Sequence, residues 1–273
     1  MLGLGASLNT SGAIEDTAFT PGSISNLVLW LKVHTNIEAD ADGSNPASDH
    51  STASENMEDL DRISAWNAFG DTTINAVQAT SGDKPKWETD SADIGGINVL
   101  SGKFMDLSET ITVTANTDFT IVVRCRPTDL SAQRTLMGNT ATEHIKINST
   151  TVIRLRADGD SSSPTNTDFT SGTAMATDKY ITILIVRSDD STGNINIYVR
   201  GEDSGYFDGT AAGTAWGSEA QLAEQLIFSN LAAANDDNLH FRGFIKDVLL
   251  YNGTAVNASQ REQLFDYIEA QDY

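Results

Sequence analysis

Cysteine occurs once in this chain of 273 residues, at Cys125, so an intrachain disulfide is excluded. Cys and His also lack the spacing of a structural zinc site, and stability must therefore come from a packed core. Basic residues are scarce as well: 17 Lys and Arg stand against 38 Asp and Glu, a formal net charge of −21. A field of that sign repels phosphate backbones and anionic headgroups, and no basic run interrupts it, so no nucleic-acid partner is expected. No apolar run approaches the roughly 18 residues of a membrane-spanning helix, and no membrane insertion is expected. The opening Met1-Leu-Gly-Leu-Gly-Ala has neither a basic stretch nor a long apolar stretch, which points to synthesis in the cytoplasm without a Sec signal.

What is present suits strands. Hydrophobic residues make up 39% and charged residues 20%, which separates the chain from acidic disordered tails. Residues 1–25 are small, polar and Gly-rich and read as an N-terminal arm; residues 26–273 read as one domain. LVLWLKV (27–33) is too short for a helix and nearly continuously apolar, as in a strand buried on both faces. Residues 35–65 show no period-2 pattern and read as an acidic insertion with one short helical piece near 55–62. INVL (97–100) and KFMDL (103–107) flank Ser101-Gly102, the step of a hairpin or a bulge.

Alternation is clearest in TDFTIVVRCR (117–126), where Phe119, Ile121, Val123 and Cys125 share one face and Thr120, Arg124 and Arg126 the other, predicting a half-buried strand. HIKIN (144–148) with VIRLR (152–156), and YITILIVRSDD (180–190) with NINIYVRGEDS (194–204), read as two hairpins. QLIFSN (225–230) and HFRGFIKDVLLYN (240–252) add two strands. A single helix is predicted over 258–270, with Asn257 and Gln260 as a capping box and Leu264, Phe265 and Ile268 as its apolar stripe. Ten to fourteen strands with one terminal helix describe an all-β sandwich or jelly roll and exclude a parallel α/β fold.

Three segments go further. Leu29-Trp30-Leu31 precedes Ile63-Ser-Ala-Trp66, Ala76-Val-Gln-Ala-Thr80 and Lys84-Pro85-Lys86-Trp87; Phe119-Thr-Ile-Val-Val-Arg124 follows; Phe241-Arg-Gly-Phe-Ile-Lys-Asp-Val-Leu-Leu-Tyr-Asn252 with Gln260-Arg-Glu-Gln263 closes the series. Their order resembles the concanavalin A-like, LamG-type jelly roll, in the variant common in proteins of tailed bacteriophages and environmental bacteria. The long acidic stretch at 35–62 departs from that variant. The resemblance implies a concanavalin A-like jelly-roll β-sandwich with a C-terminal helix and an extended arm.

That architecture includes glycoside hydrolases, which need two carboxyl groups about 5–5.5 Å apart for retention or about 6.5–9.5 Å for inversion. Related hydrolases carry the pair as E-x-D-x-x-E on one strand face; this chain has no such motif, and Glu58-Asp59-Leu60-Asp61 reads as a solvated turn. His34, His50, His144 and His240 have no G-x-S-x-G elbow to pair with, and Cys125 reads as a small buried hydrophobe. No catalytic residue is therefore expected. Glu38-Ala-Asp40-Ala-Asp42-Gly43 with Asp49 resembles a calcium loop, with oxygen ligands at positions 1, 3, 5 and 12 and Gly at 6. It has Glu at position 1, Asp at 12 and no flanking helices, and the competing reading is a solvated acidic loop. No other cofactor is expected. Sugars stack on exposed aromatic rings, and Trp66, Trp87, Tyr206 and Trp216, in or beside loops, are the glycan-binding candidates, whereas Trp30 reads as core.

The expected function is that of a bacteriophage virion structural protein, either a capsid decoration or a neck, tail or fibre component. Assembled in the host cytoplasm and displayed on the virion exterior, it would engage other virion proteins through its arm and present a surface to host glycans. Self-association into a homo-oligomer belongs to the same reading. A lectin-like module without a structural role is the alternative, and a polysaccharide hydrolase or lyase a second one.

Overall fold

The computed structural model describes residues 19–33, 35–40, 48–50, 62–90, 93–99, 102–114, 117–140, 143–157, 165–170, 174–188, 195–201, 226–232 and 239–271. In chain order the strands are β1 (Leu27–Lys32), β2 (Ile37–Asp40), β3 (Ser48–His50), β4 (Arg62–Trp66), β5 (Ala76–Val77), β6 (Lys86–Asp90), β7 (Asp93–Val99), β8 (Met105–Val113) and β9 (Phe119–Pro127). They continue with β10 (Arg134–Thr140), β11 (Glu143–Ser149), β12 (Val152–Ala157), β13 (Thr165–Thr170), β14 (Ile181–Arg187), β15 (Ile195–Gly201), β16 (Leu226–Leu231) and β17 (Gly243–Asn252), and the helix α1 spans Ala258–Glu269.

The pairings resolve into two antiparallel layers. The first runs β17–β9–β14–β15, with β1 and β7 end to end along the free edge of β17 and β6 outside β7. The second runs β3–β2–β4–β5–β8–β16–β10–β11–β12–β13. One pairing, Arg62 with Lys86, ties the layers at a corner. Between them lies the main core, where Ile121, Val123 and Cys125 of β9 and Ile183 and Ile185 of β14 share one buried cluster with Ile145 and Ile147 of β11 and Phe228 of β16. This is the predicted jelly-roll sandwich.

The outer face of the first layer is covered too. Leu264, Phe265 and Ile268 of α1 join Trp30, Val122, Leu184, Leu249 and Tyr251 in a second cluster. β9 is therefore buried on both faces rather than half-buried as its alternation suggested, because the helix seals the side bearing Val122. The helix starts where expected: the Asn257 side chain accepts from the Gln260 N–H, and the Gln260 side chain accepts from the Asn257 N–H, each at 3.0 Å. Arg200 of β15 holds the exposed side of α1, with Asp266 at 2.9 Å and Glu269 at 3.2 Å. Residues 19–25, counted with the arm in sequence, belong to the domain: Ile24 is buried in the helix-side cluster, Phe19 packs against it, and the Tyr251 hydroxyl donates to the Pro21 carbonyl at 3.1 Å.

Other expectations need correction. The 35–65 stretch contains β2, β3 and β4 rather than an insertion without strands; Arg62 opens β4, and the rest of the expected helical piece near 55–62 lies outside the described residues. The irregularity between Glu38 and Ala39 opposite β4 explains the miss, since it breaks the period-2 signal: Ile63 and Trp66, three apart, are both buried in the core. The step at Gly102 is neither hairpin nor bulge. β7 pairs with β6 and β17, and β8 with β5 and β16, so the chain there crosses between layers with Gly102 at φ 78°. The hairpins β11–β12 and β14–β15 form as predicted.

Gly243, at the start of β17, has φ 141°, and a Cβ placed there would lie 2.0 Å from the Arg126 carbonyl oxygen. Backbone cannot retreat as a flexible side chain can, so Gly243→Ala has to displace β17 from β9. Asn257→Ala removes one helix cap, worth about 1 kcal/mol. Thermal denaturation should show the larger loss for Gly243→Ala, and equal losses would contradict the close approach of these strands.

Candidate functional site

The outer face of the second layer is polar. Cross-strand pairing aligns Asp49, Glu38, Ala65, Val77, Asp106, Asn230, Gly138, His144, Arg156 and Asn166 in one continuous register row over β3, β2, β4, β5, β8, β16, β10, β11, β12 and β13. Directly paired residues project to the same side of an antiparallel sheet, so this row lies on one face. A neighbouring row holds Thr135, Lys146, Arg154 and Asp168. The apolar partners Met137, Ile145, Ile153 and Leu155 alternate with these residues and enter the core, so one strand pattern builds both the core and the polar face.

Hydrogen bonds hold much of this layer in place. Asn230 donates through its amide to the Asp106 carboxylate, and Ser229 lies 2.9 Å from the amide oxygens of both Asn139 and Asn230. Asn139 donates to Glu143 at 3.1 Å, and Lys146 donates to the Gln133 amide oxygen. Arg154 makes two bonds of 2.6 Å to the two oxygens of Asp168, which hold the guanidinium pKa above its ordinary value. Gly138 interrupts the row. A Cβ there would sit 2.8 Å from the Glu143 carbonyl oxygen and 3.1 Å from the His144 Cβ, so the gap between His144 and Asn230 is set by packing. From β8 to β13 the row crosses five inter-strand steps of about 4.8 Å each, or about 24 Å in all. Amides, carboxylates and guanidinium groups held in fixed orientation over that length can exchange paired hydrogen bonds with the hydroxyls of an extended polyol.

The residues singled out in sequence fare unevenly. Trp66 pairs with Ile37 and Ala76 on the inner face and Trp87 with Ile97, and both rings are 1% exposed, which removes them as stacking platforms. Both fill the core because their strand parity points them inward. Tyr206 and Trp216 lie outside the described residues, as do Asp42, His34 and the Glu58–Asp61 cluster. Of the calcium-loop candidates, Glu38 of β2 pairs with Asp49 of β3 and Asp40 ends β2, while Asp42 and Gly43 lie outside the described residues. The Glu38 carboxylate accepts from the Asn67 amide at 2.8 Å. Among the described residues no three His, Cys, Asp or Glu side chains are placed to share a metal ion.

Two features went unread in the sequence. The outer face of the first layer carries three cations around one ring, with Lys246 4.2 Å, Arg124 5.1 Å and Arg126 5.2 Å from the centre of Tyr180. A bulge at Lys246 lets Asp247 pair with Arg124, and Lys246, Asp247 and Arg124 are all buried, which marks a structural network. Beside α1 a cavity of about 670 Å³ is lined by Trp30, Phe69, Tyr267 and Asp71 among others. Its rim hydroxyls are committed to local turns, Ser23 to the Thr20 carbonyl at 2.7 Å and Thr72 to the Phe69 carbonyl at 2.8 Å.

A family model described as the concanavalin A-like lectin/glucanases superfamily, of laminin G type, matches residues 101–260, which include β8 to β17 and thus the row from Asp106 to Asn166. Comparison with curated protein sequences gives no match. Among solved structures, a mutant Trypanosoma rangeli sialidase displaying trans-sialidase activity aligns with 89% of this chain at 15% identity and a TM-score of 0.45. This chain spans only 33% of that sialidase. The Ruminococcus gnavus IT-sialidase CBM40 bound to α2,3 sialyllactose aligns at 15% identity and a TM-score of 0.40, over 60% of this chain and 93% of that module. The binding domain of botulinum neurotoxin serotype G aligns at 14% identity and a TM-score of 0.43, over 72% of this chain and 48% of that domain.

Cys125 is fully buried in the core, and burial pushes its thiol up to about 12 despite the nearby Arg124 charge. At neutral pH it is a neutral thiol without access to solvent. A thiol-specific reagent should leave the native protein unlabelled for as long as it stays folded and label one equivalent on denaturation; rapid native labelling would contradict the packing.

Proposed function

The chain belongs to the concanavalin A-like lectin/glucanases superfamily, and from that premise we propose that it is a non-catalytic carbohydrate-binding module displayed on the exterior of a bacteriophage particle. The observation that carries the binding reading is the register row from Asp106 to Asn166, an ordered polar face with a glycine gap on a layer whose other side packs Met137, Ile145, Ile153 and Leu155 into the core. An extended saccharide laid across the strands would present successive hydroxyls to Asp106, Asn230, His144, Arg156 and Asn166. Gly138 lets the sugar ring approach the sheet backbone between His144 and Asn230. Calcium is not part of this reading.

The placement on a virion draws on the sequence resemblance to phage proteins and on the charge. A net charge of −21 repels packaged DNA and keeps crowded particles apart, which suits an outward-facing decoration, neck, tail or fibre subunit. Residues 1–18 would dock on other virion proteins, the ordering entropy of such a segment being offset by the contacts it makes there.

Screening the purified protein on a glycan array should return saccharide ligands, and Asn230→Ala should weaken them about tenfold while the melting temperature stays within a few degrees of the parent. Failure of the folded protein to bind any glycan would refute the lectin reading. Deleting residues 1–18 should leave the sandwich's thermal stability unchanged and abolish incorporation into particles; normal incorporation would remove the arm's role.

A further inference from the structure

We propose that the cavity beside α1 is a second saccharide site, a pocket for one neutral sugar ring rather than for an extended chain; the proposal rests on the carbohydrate-binding reading above and adds a site to it. Strand parity supplies the floor. Leu29 and Leu31 of β1 enter the main core, so Trp30 points to the other side and joins the helix-side cluster. Two segments wall the cavity, each fixed by its own hydrogen bonds. In one, the Phe69 N–H donates to the Trp30 carbonyl and the Ala68 N–H to the Asn75 side chain, each at 2.8 Å. In the other, the Tyr251 hydroxyl donates to the Pro21 carbonyl at 3.1 Å, and the Asn26 amide donates to the Gly253 carbonyl at 3.1 Å and to Thr254 Oγ1 at 2.9 Å. Among the described residues no hydrogen bond joins residues 20–26 to residues 69–72, so the gap of about 670 Å³ is held open from both sides. That volume is in the range of small-molecule pockets. Glycine helps to keep it: a Cβ at Gly22 would lie 3.9 Å from Trp30 Cζ3 and one at Gly70 3.4 Å from Trp30 Cε3, so neither residue puts a side chain over this ring edge.

The lining chooses the ligand. Trp30 is buried, whereas Phe69 and Tyr267, at 75° and 68° to its ring, are only half-buried and offer aromatic surface to an apolar face. Charge of either sign is opposed. Lys32 Nζ lies 4.9 Å from the centre of Phe69 and 5.7 Å from that of Tyr267, so a ligand cation would meet a cation already in place. Asp71, exposed on the rim, and the net charge of −21 oppose an anion. The rim accepts rather than donates. The hydroxyl protons of Ser23 and Thr72 go to the Thr20 and Phe69 carbonyls, which leaves oxygen lone pairs beside the Asp71 carboxylate. A neutral molecule with an apolar face and several O–H donors meets all of these conditions, and a sugar ring is that chemistry. The polar row suits the length of a chain, and the cavity a chain end or branch.

Titration calorimetry on the full chain with methyl β-galactoside, methyl β-glucoside, methyl α-mannoside and N-acetylglucosamine, against tetramethylammonium and acetate, tests the assignment. At least one sugar should bind and neither ion should. Phe69→Ala should weaken the sugar at least tenfold, and Gly22→Leu, which fills the gap from an exposed position, should abolish its binding while the melting temperature stays within a few degrees of the parent. Gly22→Leu carries the test should Phe69→Ala fold poorly. Sugar binding unchanged in folded Gly22→Leu would overturn the cavity as the site. Tetramethylammonium or acetate bound in preference to all four sugars would overturn the neutral ligand class. No binding of the four sugars by a protein that takes longer glycans on an array would overturn the pocket and leave the lectin reading standing. No binding of any glycan would overturn both.

Discussion

The packing of β9 against β17 is the constraint on which the rest depends. The two strands pair from Asn252 opposite Phe119 to Gly243 opposite Pro127, and both must be covered on two sides. One side is met by the second layer of the sandwich, the other by α1 and the segment around Ile24. The helix is committed to the first layer, and the outer face of the second carries polar side chains, of which Thr135, His144 and Lys146 are buried and Asp106 is exposed. The polar row lies on that face.

Local features of this architecture were legible in the sequence. The capping box at Asn257, the hairpins 144–156 and 181–201, and the inward set Phe119, Ile121, Val123 and Cys125 each depend on residues close in the chain. The row that forms the candidate site was not legible, because Asp106, Gly138 and Asn230 become neighbours only through the non-local pairing of β8, β16 and β10. In sequence His144 is a histidine with no nucleophile elbow to pair with, and Arg156 is only the end of a hairpin strand. Their meaning lies in register, which single-strand periodicity does not carry.

The misread tryptophans teach the same lesson. Their position in or beside loops makes Trp66 and Trp87 candidates for stacking, yet a residue's surroundings in sequence say less than its parity in a strand. Trp66 shares a face with Ile37 and Ala76, and Trp87 with Ile97, so each fills the interior. Glu38 and Asp49, the ends of the calcium-loop candidate, are brought together in register at the far end of the long polar row. The row thus changes in character along its length, from Glu38 and Asp106 to His144 and Arg156. A linear ligand crossing it meets different chemistry as it goes.

The central claim is that the outer face of the second layer is the binding surface. A crystal structure of the chain soaked with the oligosaccharide that binds it most tightly tests this most directly. Ligand density lying across β16, β10, β11 and β12, with a sugar ring over Gly138, is the predicted result. Density confined to the aromatic cavity beside Trp30 and Tyr267, with the polar face bare, would contradict it.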